Sequence, residues 1–105
     1  MQRVTREMSD DELVEQVYRH ARCACHSVDP DQWFPVSNDT AKAREEASAA
    51  IAVCNSCPVR ALCLELSFRH VPGFGAHGVW GGLVESERQL QRGRWRQGIA
   101  VAQLL

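Results

Sequence analysis

Cys54-Asn55-Ser56-Cys57-Pro58-Val59-Arg60-Ala61-Leu62-Cys63 sets three cysteines within ten residues, and Cys25 supplies a fourth in the pattern Cys25-x28-Cys54-x2-Cys57-x5-Cys63. Three close thiols and one distant one are what a four-thiolate metal site needs. Six residues of regular helix turn through about 600°. Cys57 and Cys63 therefore cannot converge if both lie inside one helix. Cys57 is expected at the start of a helix that Pro58 opens. Cys63 then reaches the same point from within that helix, and Cys54 from the end of the preceding one. Spacing alone does not choose between zinc and an iron–sulfur cluster, since both accept four thiolates. Cys54 and Cys57 also have the spacing of a thiol–disulfide redox pair, but a thioredoxin-like motif needs a βαβ setting that the flanking sequence lacks.

The flanking segments read as short helices. Upstream, Ser9 and Glu12 form a capping-box pattern. Leu13, Val14, Val17, Tyr18 and Ala21 follow as an apolar stripe that predicts a helix ending near Cys23. Residues 26–38 read as a loop broken by Pro30 and Pro35, in which Trp33-Phe34-Pro35 is an aromatic plug and Phe34 is expected to pin the loop to the core. A second helix is expected from Thr40 to Val53, capped by Asp39 or Thr40, with Ala43, Ala47, Ala50, Ile51 and Cys54 on one face. The helix that begins at Pro58 fades near His70. Five glycines between Gly73 and Gly82 exclude helix there and predict tight turns or a short hairpin. A last short helix is expected over Glu87–Gln91, capped by Ser86 and ended by Gly93. No strand pattern and no internal repeat emerge. The fold class is a small all-α bundle of about four short helices around the four-cysteine site, with a glycine-rich turn before the last helix.

A chain of 105 residues is one domain at most and buries a limited core, which makes a metal or disulfide staple plausible. The segment before the first expected helix has no apolar run of signal-peptide length, and nowhere is there a run able to span a bilayer. A cytoplasmic location is expected, where clustered cysteines are read as metal ligands or redox groups rather than structural disulfides. The net charge of −1 names no partner, but its distribution is uneven. No acidic residue follows Glu87, whereas Arg88, Arg92, Arg94 and Arg96 do, a pattern suited to contact with nucleic-acid phosphates.

Four pieces of the chain, in order, resemble the WhiB-like family of actinobacteria and their phages. They are Cys25-His26-Ser27-Val28-Asp29-Pro30 with Trp33-Phe34-Pro35, the block from Ala49 through Cys54, Cys57 and Cys63, the turn Gly78-Val79-Trp80-Gly81-Gly82, and Glu87-Arg88 with the basic tail. The resemblance divides the chain into an N-terminal helical extension (1–24), an iron–sulfur domain (25–91) and a basic C-terminal tail (92–105). It implies a redox- and nitric-oxide-responsive transcription regulator with one [4Fe-4S] cluster on Cys25, Cys54, Cys57 and Cys63, leaving Cys23 as a bystander. It implies docking on the C-terminal domain of the primary sigma factor through Gly78, Val79, Trp80, Gly81 and Gly82, with Trp33 and Phe34 beside them. It also implies DNA contact through Arg88, Arg92, Arg94 and Arg96, in some members credited mainly to the cluster-free form with disulfide bonds between the released thiols. No catalytic residue and no membrane contact are expected, and the chain is expected to be a monomer. Two rival readings are a structural zinc module and a disulfide reductase acting in the cluster-free form.

Overall fold

The structure, a computed structural model, describes residues 5–25, 28–69, 71 and 77–105, with the side chains of residues 21–25 outside that set. His26, His70, Gly73 and Gly75 therefore lie outside the described residues, as do the side chains of Cys23 and Cys25. Among the described residues the architecture is all-α: α1 (Asp10–Cys25), α2 (Thr40–Glu46), α3 (Ser48–Asn55), α4 (Arg60–Phe68) and α5 (Glu85–Arg96), with short 3-10 turns at Thr5–Glu7, Pro30–Trp33 and Val101–Gln103. No single helix among them is long and apolar enough to cross a membrane.

The capping box that opens α1 is formed in both directions: the Glu12 N–H donates to Ser9 Oγ at 3.1 Å, and the Ser9 N–H donates to Glu12 Oε1 at 3.3 Å. The helix passes the expected stop at Cys23 and ends at Cys25, because nothing between them breaks it and the first proline is Pro30. Asp39 caps α2 by accepting from the Lys42 N–H at 3.1 Å. The single helix expected over Thr40–Val53 is bent into α2 and α3 at Ala47, whose φ of −99° and ψ of 14° leave the helical well. No glycine or proline marks that bend, and the buried face still runs through Ala43, Ala47, Ala50 and Ile51.

Two apolar clusters fill the interior. One gathers Ala43, Ala47, Ile51, Cys54, Val79 and Val84, with Trp33 against it. The other gathers Leu64, Phe68, Leu83, Val101 and Leu104, with Ala61, Trp95 and Ile99 against it. Helix α4 supplies Leu64 and Phe68 to the second cluster and packs on α1, on α5 and on the 3-10 turns near either end of the chain.

The C-terminal region departs most from the sequence reading. Helix α5 begins at Glu85, one residue before the expected cap, and the Ser86 hydroxyl pairs with that of Thr40 at 2.6 Å instead. It also runs straight through Gly93. A helical glycine costs about 1 kcal/mol relative to alanine, and tertiary bonds on either side of it offset that cost. Arg92 Nε and Nη2 both donate to the Phe68 carbonyl, at 3.1 and 2.9 Å. Trp95 Nε1 donates to the Glu65 carboxylate. The stop comes at Gly98 (φ 100°), where the Gly98 N–H bonds the Trp95 carbonyl and the Ile99 N–H bonds the Arg94 carbonyl. Those two bonds form a Schellman motif. The last residues then fold back to bury Val101 and Leu104. The boundaries drawn at 24/25 and 91/92 thus fall inside α1 and α5.

The N-terminal turn Thr5–Glu7 joins the same structure. Glu65 is fully buried and accepts from Trp95 Nε1, from Arg69 Nε at 3.0 Å and from Thr5 Oγ1 at 3.3 Å. Arg69 in turn donates to the carbonyls of Thr5, Arg6 and Met8. Arg6 lies over the Trp95 ring at 4.7 Å from its centre and donates to the Trp95 carbonyl at 2.7 Å. These bonds tie the N-terminal turn to α4 and to the end of α5.

Candidate metal centre

Helix α3, helix α4 and the turn between them deliver the three described cysteines. Cys54 occupies the last turn of α3 and is buried. Cys57 lies in the connecting turn, where its N–H donates to the Cys54 carbonyl at 3.0 Å and its own carbonyl accepts from the Arg60 N–H at 3.3 Å. Pro58 and Val59 complete that turn, so α4 starts at Arg60, two residues later than Pro58 suggested. Cys63 stands in the first turn of α4. The chain bends by 115° between α3 and α4, and this bend returns Cys63 toward Cys54. The expectation that Cys57 and Cys63 cannot share one regular helix holds. Cys25 is the final residue of α1 rather than part of a loop, and its side chain lies outside the described residues.

Cys54, Cys57 and Cys63 line one cavity of about 370 Å³. Val17 of α1, Val28, Trp33, Val53 and Val79 make its walls largely apolar, and Arg60 and His77 are the basic side chains on it. No described carboxylate lines it. Among the described residues no three His, Cys, Asp or Glu side chains stand close enough to clasp a single metal ion. This donor set fits an iron–sulfur cluster. Thiolates are its usual ligands, a four-iron cube takes one on each iron, and an apolar, partly cationic wall suits its negative charge.

The far side of the cavity is formed by the aromatic loop and the glycine-rich turn, which are fastened to each other. The Val79 N–H donates to the Trp33 carbonyl at 2.9 Å, and a Cβ on Gly78 would sit 2.7 Å from that same oxygen. Trp33 packs against the first core cluster, whereas Phe34 is 59 % exposed. The anchor is therefore Trp33 and not Phe34 as expected: Gly78 lets the backbones approach and leaves the Phe34 ring on the rim. Trp80 and Leu83 pair through two main-chain bonds of 3.2 and 3.1 Å, with Gly81 and Gly82 at positive φ between them. Gly78, Val79, Gly81 and Gly82 are buried and Trp80 is half-buried, its Nε1 donating to the His77 carbonyl at 3.0 Å. The turn is therefore a packed element of the cavity wall rather than an exposed loop.

The four arginines read as phosphate contacts occupy different environments. Arg88 is 5 % exposed and donates from Nη2 to the Gly78 carbonyl at 2.8 Å. Burial lowers its pKa from the ordinary arginine value, with Glu85 and then Cys63 opposing that effect. Arg92 is held on the Phe68 carbonyl and is half-buried. Arg94 and Arg96 are exposed on the last turn of α5. Arg88 and Arg92 thus point into the fold, a placement that charge counting misses because it carries no information about helix phase. The Glu65–Arg69–Trp95 network escaped the sequence reading as well. Its signal was a glutamate set between Leu64 and Leu66 in an apolar stretch, with an arginine four residues later.

Comparison with known proteins identifies the family. Residues 20–90 match the family described as "Transcription factor WhiB". The chain is 39 % identical over 74 residues to transcriptional regulator WhiB1 of Bifidobacterium longum, covering 70 % of this chain and 76 % of that protein. It is 36 % identical over 77 residues to transcriptional regulator WhiB1 of Mycobacterium tuberculosis, covering 73 % and 86 % respectively. Against transcriptional regulator WhiB of Streptomyces coelicolor the identity is 29 % over 89 residues, covering 85 % and 92 %. No solved structure matches. The described cysteines and the packed glycine turn all fall inside the matched span, whereas the N-terminal turn and the end of α5 fall outside it, and the chain belongs to the WhiB family of transcription regulators.

Proposed function

We propose that this regulator holds a [4Fe-4S] cluster on Cys25, Cys54, Cys57 and Cys63 and uses it to sense redox state or nitric oxide in the cytoplasm. One observation carries the reading: Cys54, Cys57 and Cys63 line a single apolar cavity with Arg60 on its wall and no described carboxylate. Such a cluster supplies one-electron chemistry and a centre that oxygen and nitric oxide attack. The protein's own part is to present the thiolates and exclude water with Val17, Val53, Trp33 and Val79. Because the ligands sit at helix ends, binding at this cavity is coupled to folding of the helices around it. Thiols released on loss of the cluster become available to form disulfides.

The same reading assigns the rim of the cavity to partner contact. Trp80 and Phe34, both partly exposed beside the packed turn, form the surface for the C-terminal domain of the primary sigma factor. Arg94 and Arg96 serve DNA phosphates. The protein acts as a monomer in this scheme.

Anaerobic purification followed by an absorption spectrum and iron and sulfide analysis tests the cluster. A brown protein with about four irons per chain is expected, lost in Cys25→Ala, Cys54→Ala, Cys57→Ala and Cys63→Ala and kept in Cys23→Ala. A colourless zinc protein, or a cluster that needs Cys23 and not Cys25, overturns the assignment.

A further inference from the structure

Two arginines hold the glycine-rich turn at its two ends, Arg60 from α4 on the cavity wall and Arg88 from α5 behind the turn. Arg60 of α4 donates from Nε to the Gly81 carbonyl at 2.9 Å, and Arg88 of α5 donates from Nη2 to the Gly78 carbonyl at 2.8 Å. The packing around them leaves little room. A Cβ on Gly82 would lie 3.1 Å from Arg60 Nη2, and one on Gly81 would lie 2.7 Å from Leu64 Cβ. Arg60 also lines the cysteine cavity, and its place in the chain is three residues after Cys57 and three before Cys63. Trp80 lies between the two held carbonyls and lines the same cavity.

We infer that Arg60 and Arg88 hold the Gly78–Gly82 turn as a cationic clamp, and that Arg60, on the cavity wall, couples the charge held on the cysteines to the position of that turn and of Trp80. This rests on the cluster reading for the identity of the charge, though not for the existence of the clamp. Each guanidinium has more donors than its carbonyl bond uses. Thiolates in the cavity, alone or on a cluster, attract Arg60 and hold it in its present place against the turn. When two of these thiolates each give up an electron to an oxidant such as dioxygen and join as a neutral disulfide, that attraction is lost. Arg60 is then held by the turn carbonyl alone, and the turn loosens. Arg60 and Arg88 are therefore positioning residues: Arg88 holds one end of the turn, and Arg60 turns a change of charge at the cavity into a change at the surface that carries Trp80.

The test uses the full chain with Arg60→Gln and Arg60→Lys. Two quantities are measured: the reduction potential of the cluster, and the hydrogen exchange of the peptide spanning residues 77–84, which contains the bonded Val79 and Trp80 amides. Arg60→Gln removes a positive charge from the cavity wall, so the potential falls, and exchange in the turn rises about tenfold, the loss expected for one net hydrogen bond. Arg60→Lys restores the potential, because it keeps the charge, and leaves exchange raised, because an ammonium does not reproduce the guanidinium fork. A potential and an exchange rate unchanged in Arg60→Gln overturn the clamp. So does a shifted potential with unchanged exchange, which would make Arg60 a charge and nothing more. If the wild-type protein carries no iron, the cluster reading fails by itself. Exchange is then compared between the reduced and the disulfide-oxidised chain, and a turn equally protected in both rejects the clamp.

Discussion

Replacing Glu65 with alanine should be among the most damaging single changes outside the cysteines. The carboxylate is fully buried and receives Trp95 Nε1 at 3.1 and 3.2 Å, Arg69 Nε at 3.0 Å and Thr5 Oγ1 at 3.3 Å. Its removal leaves the Trp95 N–H without its acceptor, at about 1–3 kcal/mol. It also removes a charge-assisted bond from Arg69, worth about 1.5–3 kcal/mol. Arg69 is not stranded, since it keeps the Thr5, Arg6 and Met8 carbonyls and the Asp10 carboxylate at 3.2 Å. The lower end of each range is therefore the better guide, and the sum comes to about 2.5 kcal/mol. In a domain of this size that corresponds to a fall in Tm of ~10 °C or more.

The assay is thermal or urea unfolding of wild type, Glu65→Ala, Glu65→Gln and Trp95→Phe in one defined metal state. Glu65→Gln keeps an acceptor for the indole and should cost about half as much. Trp95→Phe keeps the ring against Phe68, whose centre lies 5.6 Å away. It removes only the N–H, so it should cost about 1 kcal/mol. A second readout is local. The Thr5–Glu7 turn is held through this network, so tryptic cleavage after Arg6 should be faster in Glu65→Ala than in Trp95→Phe. If Glu65→Ala costs less than 1 kcal/mol, or if Arg6 is cleaved at the wild-type rate, the network does not fasten the N-terminal turn and the reasoning is wrong.

Three further outcomes follow from the packing. Gly81→Ala places a Cβ 2.7 Å from that of Leu64 at a φ of 60°, so it should cost about 2–4 kcal/mol in urea unfolding. Gly98→Ala meets no atom within 4 Å and should cost only about 1 kcal/mol, while Gly93→Ala, in open space on a helix, should stabilise by roughly 0.5–1 kcal/mol. Arg94→Ala with Arg96→Ala should weaken DNA binding and flatten its dependence on salt by about two counterions in gel-shift titrations at several salt concentrations. Arg92→Ala should act mainly on stability, and the opposite ranking would show that Arg92 leaves Phe68 to reach DNA. Trp80→Ala should reduce capture of the sigma-factor C-terminal domain in a pull-down by tenfold or more, about 1.4 kcal/mol, as removal of an interface aromatic does. Because Trp80 also lines the cysteine cavity, iron content must be measured alongside, and a loss of iron equal to the loss of capture would assign the residue to the cavity wall.

Much of this arrangement is legible in the amino-acid sequence, wherever a local chemical rule decides the structure. Ser9 and Glu12 announced α1, Asp39 announced α2, and the helix phase of Cys57 and Cys63 required Cys57 to lie outside the helix that holds Cys63, as it does in the turn before Arg60. What could not be read depended on which element comes to lie against which. The bend at Ala47 has no breaker residue. The continuation of α5 through Gly93 depends on bonds to Phe68 and Glu65, which belong to another helix. Local propensity at Gly93 opposed the helix by about 1 kcal/mol, and contacts from α4 outweighed it.

The arginines carry the same argument into function. A run of basic residues after Glu87 is one feature in the sequence and three in space. Arg88 is drawn inward to the Gly78 carbonyl, Arg92 to the Phe68 carbonyl, and Arg94 and Arg96 remain in water. A buried guanidinium is retained only where fixed acceptors replace its water. The Gly78 carbonyl is such an acceptor because the turn that carries it is itself packed on Trp33 and Leu64. The charge that looked like part of a nucleic-acid surface is thereby turned inward, onto the glycine turn that lines the cysteine cavity. An alanine at Arg88 should therefore be felt first in the Gly78–Gly82 turn, and in DNA binding only as a consequence.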